Sequence, residues 1–352
     1  MKQTVRYANV LAKIGSERGL LLSEIKLKSL AGTRSTAEFA AQLQGTVYQE
    51  RISKLPLPLN SRRLERVFQE SLIDAYMKII KNSPISLAAY LKMHLDRIEL
   101  ETLKALVKGV YAQLSFEEKL AEIYLNMESF LKNRGLFEEA AKATDLKQLV
   151  NTFKETEYFP RLNLGLRRYE ENGSTMFFDV LLDKEFHEKL CRGYESLPRK
   201  ERPRAFFYSS MEVDTFLILM LLRGKALDYD PQWLRMATPK CNFNLSNETV
   251  DALMMAADYK SAVSIVLKSN YGKFFANAPT PEETIAKAQK GFRRAVFRHA
   301  VENRITDTFN IGAPLGFMVL KEAETRNLSA ISLGVEKAMK PEEILSFLLL
   351  RI

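Results

Sequence analysis

Two short motifs recur along the chain at a spacing near 110 residues, and this repetition constrains the fold more than any other feature. The first motif is an acidic residue followed by apolar residues four and seven positions later and by glycine ten positions later. It occurs three times, as Glu99/Leu103/Leu106/Gly109, Asp214/Ile218/Leu221/Gly224 and Glu324/Leu328/Ile331/Gly334. The spacing of the apolar positions is typical of one face of a helix.

The second motif is an apolar stretch that ends in tyrosine. It occurs as Phe39/Ala40/Leu43/Tyr48, Leu149/Val150/Phe153/Tyr158 and Ala262/Val263/Val266/Tyr271. The tyrosines are 110 and 113 residues apart, and the acids of the first motif are 115 and 110 residues apart. A period shared by two independent motifs predicts three similar modules.

The order of the motifs indicates how the third module is completed. Gly109 and Gly224 are each followed by a tyrosine motif, whereas none follows Gly334. Tyr48, however, is preceded by 47 residues, about the length of the missing half. We therefore expect the N-terminal segment to complete the third module, which gives a closed ring rather than an open solenoid with free end repeats. The expected modules are residues 1–110, whose N-terminal half also closes the ring, 111–225 and 226–352.

Helical periodicity and helix-start signals dominate the rest of the sequence. Ser35 and Ser115 each precede a glutamate at the capping-box position, and Asp145 is a further N-cap candidate. We expect a helix from Ser61 to about Lys81, and one from Ser115 through Leu131. No stretch alternates between apolar and polar residues, so the sequence predicts an all-α fold.

Catalytic, cofactor and metal sites are not predicted. The chain has no glycine-rich phosphate loop, and His94, His187 and His299 lack the further ligands that a zinc site needs. One pair, His187 and Cys191, has the helical spacing at which a Cys–His nucleophile can form, so an all-α enzyme stays open as an alternative. The two cysteines, Cys191 and Cys241, are more readily interpreted as free thiols in a reducing compartment than as a disulfide.

The residues that mark the repeats admit two interpretations. The acids Glu99, Asp214 and Glu324 could line a central opening and meet a basic partner, or they could be structural groups at the rim of the apolar stripe. We favour the structural interpretation. We expect the glycines Gly109, Gly224 and Gly334 to end helices, and the tyrosines Tyr48, Tyr158 and Tyr271 to pack with a polar tip at the edge. The sequence does not assign partner-contacting residues.

The net charge of +9 admits nucleic acid, an anionic membrane surface or an acidic protein as partner. The basic residues are scattered and mixed with acids, which favours solvated helix faces over one contiguous binding surface. The longest central apolar stretch, Phe216 to Leu222, is too short to cross a bilayer. The first residues do not have the pattern of a signal peptide.

Three stretches are similar to a known family. Leu30–Tyr48 (LAGTRSTAEFAAQLQGTVY) resembles the N-terminal helix pair of the C subunit of archaeal A-type ATP synthases, a family related to the d subunit of eukaryotic V-type ATPases. Phe177–Leu190 (FFDVLLDKEFHEKL) resembles the family's acidic and aromatic helix. Lys321–Leu348 (KEAETRNLSAISLGVEKAMKPEEILSFL) resembles its closing motif, in which Glu324, Asn327 and Leu328 are the most characteristic residues. Thr102 and Leu217 depart from Asn327 at the matching positions.

This resemblance implies three pseudo-symmetric helical modules that form a closed funnel with a central socket. It also implies a non-catalytic adaptor of the central rotor, which links the membrane proteolipid ring to the central shaft and transmits torque. The implied partners are the central-stalk subunits and the proteolipid ring, with anionic lipid headgroups as a further candidate. The implied location is peripheral, on the cytoplasmic face of the cell membrane. The resemblance implies no cofactor, and nucleic acid is not among the implied partners. The alternative function is a basic all-α nucleic-acid-binding or scaffold protein.

Overall fold

The chain folds into helices joined by short turns. The computed structural model describes residues 2–276, 278–302 and 309–350, and these residues contain no β-strand, which confirms the all-α prediction. The α-helices in the described residues are α1 (Lys2–Gly19), α2 (Glu24–Ala31), α3 (Thr36–Ala41), α4 (Gln49–Ile52), α5 (Ser61–Asn82), α6 (Ile85–Tyr111), α7 (Phe116–Ala121), α8 (Leu125–Leu131), α9 (Arg134–Ala141), α10 (Leu146–Thr152), α11 (Phe159–Asn172), α12 (Met176–Ser196), α13 (Arg202–Ala226), α14 (Pro231–Ala237), α15 (Asn247–Met255), α16 (Tyr259–Leu267), α17 (Pro281–Glu302), α18 (Gly312–Glu336) and α19 (Pro341–Phe347).

The helices belong to two compact units. The first unit takes its described residues from the ranges 1–91 and 294–352, and the second unit from 92–293. The chain passes between the two units inside helices α6 and α17. The first unit is therefore built from both ends of the sequence.

Helix α18 is central to the first unit, where it packs against α1, α2, α3, α5 and α19. The core joins Phe39, Tyr48 and Phe68 from the N-terminal part of the chain to Leu328 and Ile331 of α18, and all five side chains are fully buried. The first and last segments of the chain thus share one apolar core, as the order of the motifs predicts.

The second unit is built around α6, α12 and α13. Its described core contains Leu103 and Leu106 of α6, which are the apolar positions of the first motif, together with Phe137, Leu149 and Phe153. Helix α13 packs against α12, α15 and α16. The apolar stripe that the sequence shows after Glu99 is thus the buried face of α6.

Helix α13 is the one helix among the described residues that is long and apolar enough to span a membrane by composition. Within its most apolar window, 72% of the residues are buried inside the protein. Such burial is also typical of the core helix of a globular domain.

Local start signals explain where several helices begin. Ser35, Asp145 and Asp258 lie in extended conformation directly before α3, α10 and α16, and each side chain accepts the backbone N–H three residues later. Ser115 forms the expected capping box with Glu118. The single helix predicted from Ser115 through Leu131 is wrong, since the structure has α7 and α8 instead. The break turns the side chain of Ile123 into the core, so packing overrides helix propensity.

Candidate functional site

The three acids of the first motif are buried in the middle of long helices. Glu99, Asp214 and Glu324 lie in α6, α13 and α18, and their exposed fractions are 2%, 0% and 5%. The expectation that they sit at the rim of the packing stripe is therefore wrong. A buried carboxylate needs hydrogen-bond donors to offset the loss of hydration. The donors of each acid show which segments of the chain it connects.

In the second unit each acid accepts a hydrogen bond from the tyrosine of the second motif. Tyr158 Oη donates to Glu99 Oε2 at 2.6 Å, and Tyr271 Oη donates to Asp214 Oδ2 at 2.7 Å. These hydroxyl groups are buried against a carboxylate, so the expectation that the tyrosine tips lie at an edge is also wrong. Burial, followed by the negative charge of the neighbouring acid, raises the pKa of both tyrosines.

The third pair lies in the first unit and contains an additional lysine. Lys321 Nζ donates to Tyr48 Oη at 2.8 Å and to Glu324 Oε2 at 3.4 Å. Burial and then the charge of Glu324 raise the pKa of Tyr48 well above its usual value, while burial lowers the pKa of Lys321. The three residues connect the N-terminal segment to α18.

Each acid also accepts hydrogen bonds from a segment outside its own helix and apart from the tyrosine. The Asn133 side chain donates to Glu99, and the backbone N–H of Leu22 donates to Glu324 Oε1 at 3.0 Å. Asp214 accepts three backbone N–H groups, from Phe243 at 2.8 Å, Asn244 at 2.6 Å and Leu245 at 3.2 Å. The carboxylates therefore fix a helix, a loop and a tyrosine to one another.

A second buried acid, Glu128, lies beside Glu99. Burial and then the negative charge of Glu99 raise the pKa of Glu128 to about 9, with Asp96 adding to the shift and Lys92 opposing it. Asp96 is itself paired with Lys189 at 2.9 Å. Glu128 is thus protonated at neutral pH and acts as a neutral acid beside a carboxylate.

The glycines of the first motif lie two residues before the ends of α6, α13 and α18, so they precede the helix ends rather than form them. The backbone C=O of each glycine accepts the N–H five residues later, at 2.8 to 2.9 Å. The residue four positions after each glycine takes the left-handed conformation; these residues are Gln113, Asp228 and Ala338. The same turn therefore ends all three long helices.

Close packing explains why these positions are glycine. A Cβ atom at Gly224 would lie 2.2 Å from Leu234 Cδ2, and one at Gly334 would lie 2.6 Å from Ile344 Cγ1. At Gly109 the nearest atom is Lys119 Cγ, at 3.1 Å. The contacting residue is ten positions after the glycine in each case, where a short helix (α7, α14 or α19) folds back onto the long one.

A further repeated feature was missed by reading the sequence. The residue two positions before each tyrosine carries a hydroxyl group, which accepts the backbone N–H of that tyrosine and donates to a backbone C=O three residues earlier. These residues are Thr46, Thr156 and Ser269. Each lies two residues before its tyrosine, and this common spacing in the sequence is the pattern that predicts them.

The possible Cys–His nucleophile does not form. Cys191 is bonded to Cys241 in a disulfide, so the prediction of free thiols is wrong. His187 is buried and stacks on Phe216 with ring centroids 3.9 Å apart. Burial lowers the pKa of His187 to about 4, and its Nδ1–H donates to Asp183 O at 2.7 Å. The ring is therefore a neutral core group.

Among the described residues, no group of three or more His, Cys, Asp and Glu side chains has the arrangement of a metal site.

Asn327, from which Thr102 departs at the matching position, makes contacts that the threonine does not make. Asn327 Nδ2 donates to Leu349 O at 2.9 Å, and Asn327 Oδ1 accepts Leu349 N at 2.8 Å. This amide ties the C-terminal segment to α18, whereas the hydroxyl of Thr102 bonds within its own helix, to Ile98 O.

Comparison with known proteins gives a consistent result along the whole chain. The model of a protein family described as ATP synthase (C/AC39) subunit matches residues 10–347. The C subunit of the A-type ATP synthase of Methanocaldococcus jannaschii is 26% identical over 348 residues, which cover 97% of this chain and 86% of that protein. The proteins of the same name from Methanothermobacter thermautotrophicus and Pyrococcus abyssi are 24% and 22% identical, cover 96% of this chain, and are themselves covered to 86% and 89%.

Proposed function

Because the chain belongs to the ATP synthase (C/AC39) subunit family, we propose that it is the adaptor of the central rotor in an A-type ATP synthase. It is a non-catalytic subunit of the rotary complex. In this role it links the membrane proteolipid ring to the central shaft and transmits torque between ion flow and ATP synthesis or hydrolysis. The match of the family over residues 10–347 is the observation that carries this proposal.

The architecture that we propose for this role is a closed funnel of three modules, residues 1–110, 111–225 and 226–352, around a central socket. Both units contain the same arrangement, in which a buried acid on a long helix is linked to a tyrosine from a different part of the chain. The shared core of the first and last segments supports closure. We assign the nine repeat-marking residues a structural role in this arrangement.

A torque-transmitting part must resist deformation, and the buried pairs suit this requirement. Separating Tyr271 from Asp214 would leave a carboxylate without one of its donors in the protein interior, which is costly. Each pair joins elements that are distant in the sequence, so helices cannot slide past one another without breaking it. Stiffness of this kind supports a mechanical role.

As a subunit of an ATP synthase the protein associates with a membrane-bound complex. We propose that its direct partners are the central-stalk subunits and the proteolipid ring, and that it lies peripherally on the cytoplasmic face. The net charge of +9 would favour acidic partner loops or anionic lipid headgroups nearby. If charge contributes, raising the ionic strength from about 0.1 M to about 1 M should weaken docking to the ring.

Removal and add-back of this subunit test the proposal. ATP synthase purified without it and reconstituted into vesicles should hydrolyse ATP without pumping ions, because head and ring are uncoupled. Adding the purified chain should restore ATP-driven ion uptake. Full coupling without the added chain would contradict the rotor role. Binding to nucleic acid with a steep inverse salt dependence, and not to the complex, would support the alternative function.

A further inference from the structure

The loop formed by residues 240–245 lies between α14 and α15, and we call it the Asp214 loop. Three of its backbone N–H groups donate to the Asp214 carboxylate. At its start, Lys240 N donates to Glu188 Oε1 at 3.1 Å. Between these contacts, Cys241 is joined by a disulfide to Cys191 of α12. The loop is therefore held at three places along its length.

The other two acids of the first motif accept hydrogen bonds from different kinds of donor. Glu99 is met by the side chain of Asn133 shortly after helix α8, and Glu324 by the single N–H of Leu22. The Asp214 loop has no helix of its own, so its order depends on bonds to other elements. Reduction removes the covalent link to α12 and leaves the loop with its hydrogen bonds and side-chain packing, so local opening costs less free energy.

The same loop holds an aromatic contact near the protein surface. The ring centroid of Phe243 lies 5.0 Å from that of Tyr194 and 5.7 Å from that of Phe206. Phe206 is 37% exposed. Release of the loop would therefore uncover aromatic surface as well as the Asp214 carboxylate.

We propose that Cys191 and Cys241 form a redox site that controls the Asp214 loop. In the oxidised protein the disulfide holds the loop against α12, and the three N–H groups stay on Asp214. In the reduced protein the loop opens locally, while α12 and α13 keep their helical structure.

A dithiol reductant supplies the chemistry of opening. Cys241 is partly exposed and Cys191 is buried, so the reductant thiolate attacks the Cys241 sulfur. The bond between the two cysteine sulfurs breaks, and Cys191 leaves with the electron pair as a thiolate that takes a proton. The second thiol of the reductant then displaces Cys241 as a thiolate, which also takes a proton, and the reductant becomes a cyclic disulfide.

Thiol alkylation of the purified full chain tests whether the bond forms. In denaturant without reductant, we expect iodoacetamide to modify neither cysteine, and after dithiothreitol treatment we expect it to modify both. Modification of both cysteines without reduction would overturn the proposal.

Hydrogen exchange with and without dithiothreitol tests the control of the loop. The amides of Phe243, Asn244 and Leu245 should exchange at least about tenfold faster after reduction, while the amide of Leu22 in the first unit should not change. The Cys191→Ser/Cys241→Ser variant should exchange like the reduced protein and should not respond to dithiothreitol. Equal protection of the three loop amides in the oxidised and reduced wild-type protein would overturn the proposal even if that variant does not fold.

Discussion

At the scale of single residues, the important groups are carboxylates that the fold has withdrawn from water. Each of the three repeated acids is buried and accepts hydrogen bonds from at least two donor residues. For Glu99 and Asp214 these donors lie outside the helix of the acid, whereas for Glu324 one of them, Lys321, lies on the same helix. Hydrogen bonds to a charged acceptor contribute more than neutral ones, and leaving such an acceptor without a donor is costly. These residues therefore determine which segments stay together.

Removing one tyrosine hydroxyl tests the value of such a pair. We expect Tyr271→Phe to lower the free energy of unfolding by about 1.5 to 3 kcal/mol, because Asp214 loses a donor while the ring remains in the core. Urea unfolding measures the change. Tyr111→Phe, at a side chain that is 54% exposed, is the matched control and should have little effect. Equal stability of the two variants would contradict the role of the pair.

Glu128 should make the protein less stable as the pH rises. Its pKa is about 9 in the folded protein against a reference of 4.5, so between these values the folded state holds a proton that the unfolded state has lost. Below pH 4.5 the protonation of Glu128 therefore does not reduce the stability of the fold. Between pH 4.5 and about pH 9 the free energy of unfolding falls, by at most about 1.4 kcal/mol per pH unit.

The variant Glu128→Gln carries an uncharged amide in place of the protonated acid. It should match the wild type near pH 4.5 and exceed its stability by a growing margin as the pH is raised toward 9, as measured by urea unfolding. Glu117→Gln, an exposed acid on α7, is the control and should run parallel to the wild type. Parallel curves for Glu128→Gln would show that Glu128 is ionised in the folded protein.

At the scale of helices, one arrangement recurs three times. A long helix ends in a turn with a left-handed residue, and a short helix then folds back so that one of its side chains rests on the glycine of the long helix. The interval of ten residues between glycine and side chain is the same in each copy. The glycine thus leaves room for a side chain of the short helix, with the closest approach at Gly224 and Gly334.

Filling the space at one of these glycines should separate the two helices. We expect Gly334→Ala to cost about 1 to 3 kcal/mol, because the new Cβ would lie 2.6 Å from Ile344 Cγ1 in a buried contact. Gly135→Ala, a helical position with open space around it, should be neutral or stabilising. Ile344→Ala should cost less in the Gly334→Ala background than alone. Additive effects in urea unfolding would argue against the contact.

A substitution at the left-handed residue after α18 should stabilise the protein rather than destabilise it. Ala338 has a φ of 52°, a conformation that an L-residue adopts at a cost. Ala338→Gly should remove that cost and raise the unfolding free energy by about 0.5 kcal/mol, after allowing for the greater freedom of glycine in the unfolded chain. Ala330→Gly, inside the same helix, should lower it by about 1 kcal/mol. Thermal unfolding of both variants decides between these signs.

At the scale of the whole molecule, the sequence predicted the helices and the pairing of its ends better than it predicted the surroundings of the acids. The motif order anticipated that the segment around Tyr48 meets the segment around Glu324, because spacing along a chain survives folding. The burial of Glu99 and the protonated Glu128 beside it could not be predicted, because they depend on side chains from separate helices. The disulfide was mispredicted for the same reason, since the approach of Cys191 to Cys241 is a tertiary contact.

The contact between the two ends of the chain yields the last prediction. Replacing Glu324 and Lys321 together, as Glu324→Leu/Lys321→Met, removes the acceptor of the Leu22 N–H without leaving a buried charge unpaired. If the α18 acid holds the N-terminal segment, the amides of Leu22 and α2 should exchange with solvent at least about tenfold faster in this variant. Glu322→Gln alters a carboxylate of the same helix that pairs with Arg326 near the surface, and should leave those amides unchanged. Unchanged exchange in the double variant would mean that apolar packing alone joins the two ends, and the acid would then have no part in closing the chain.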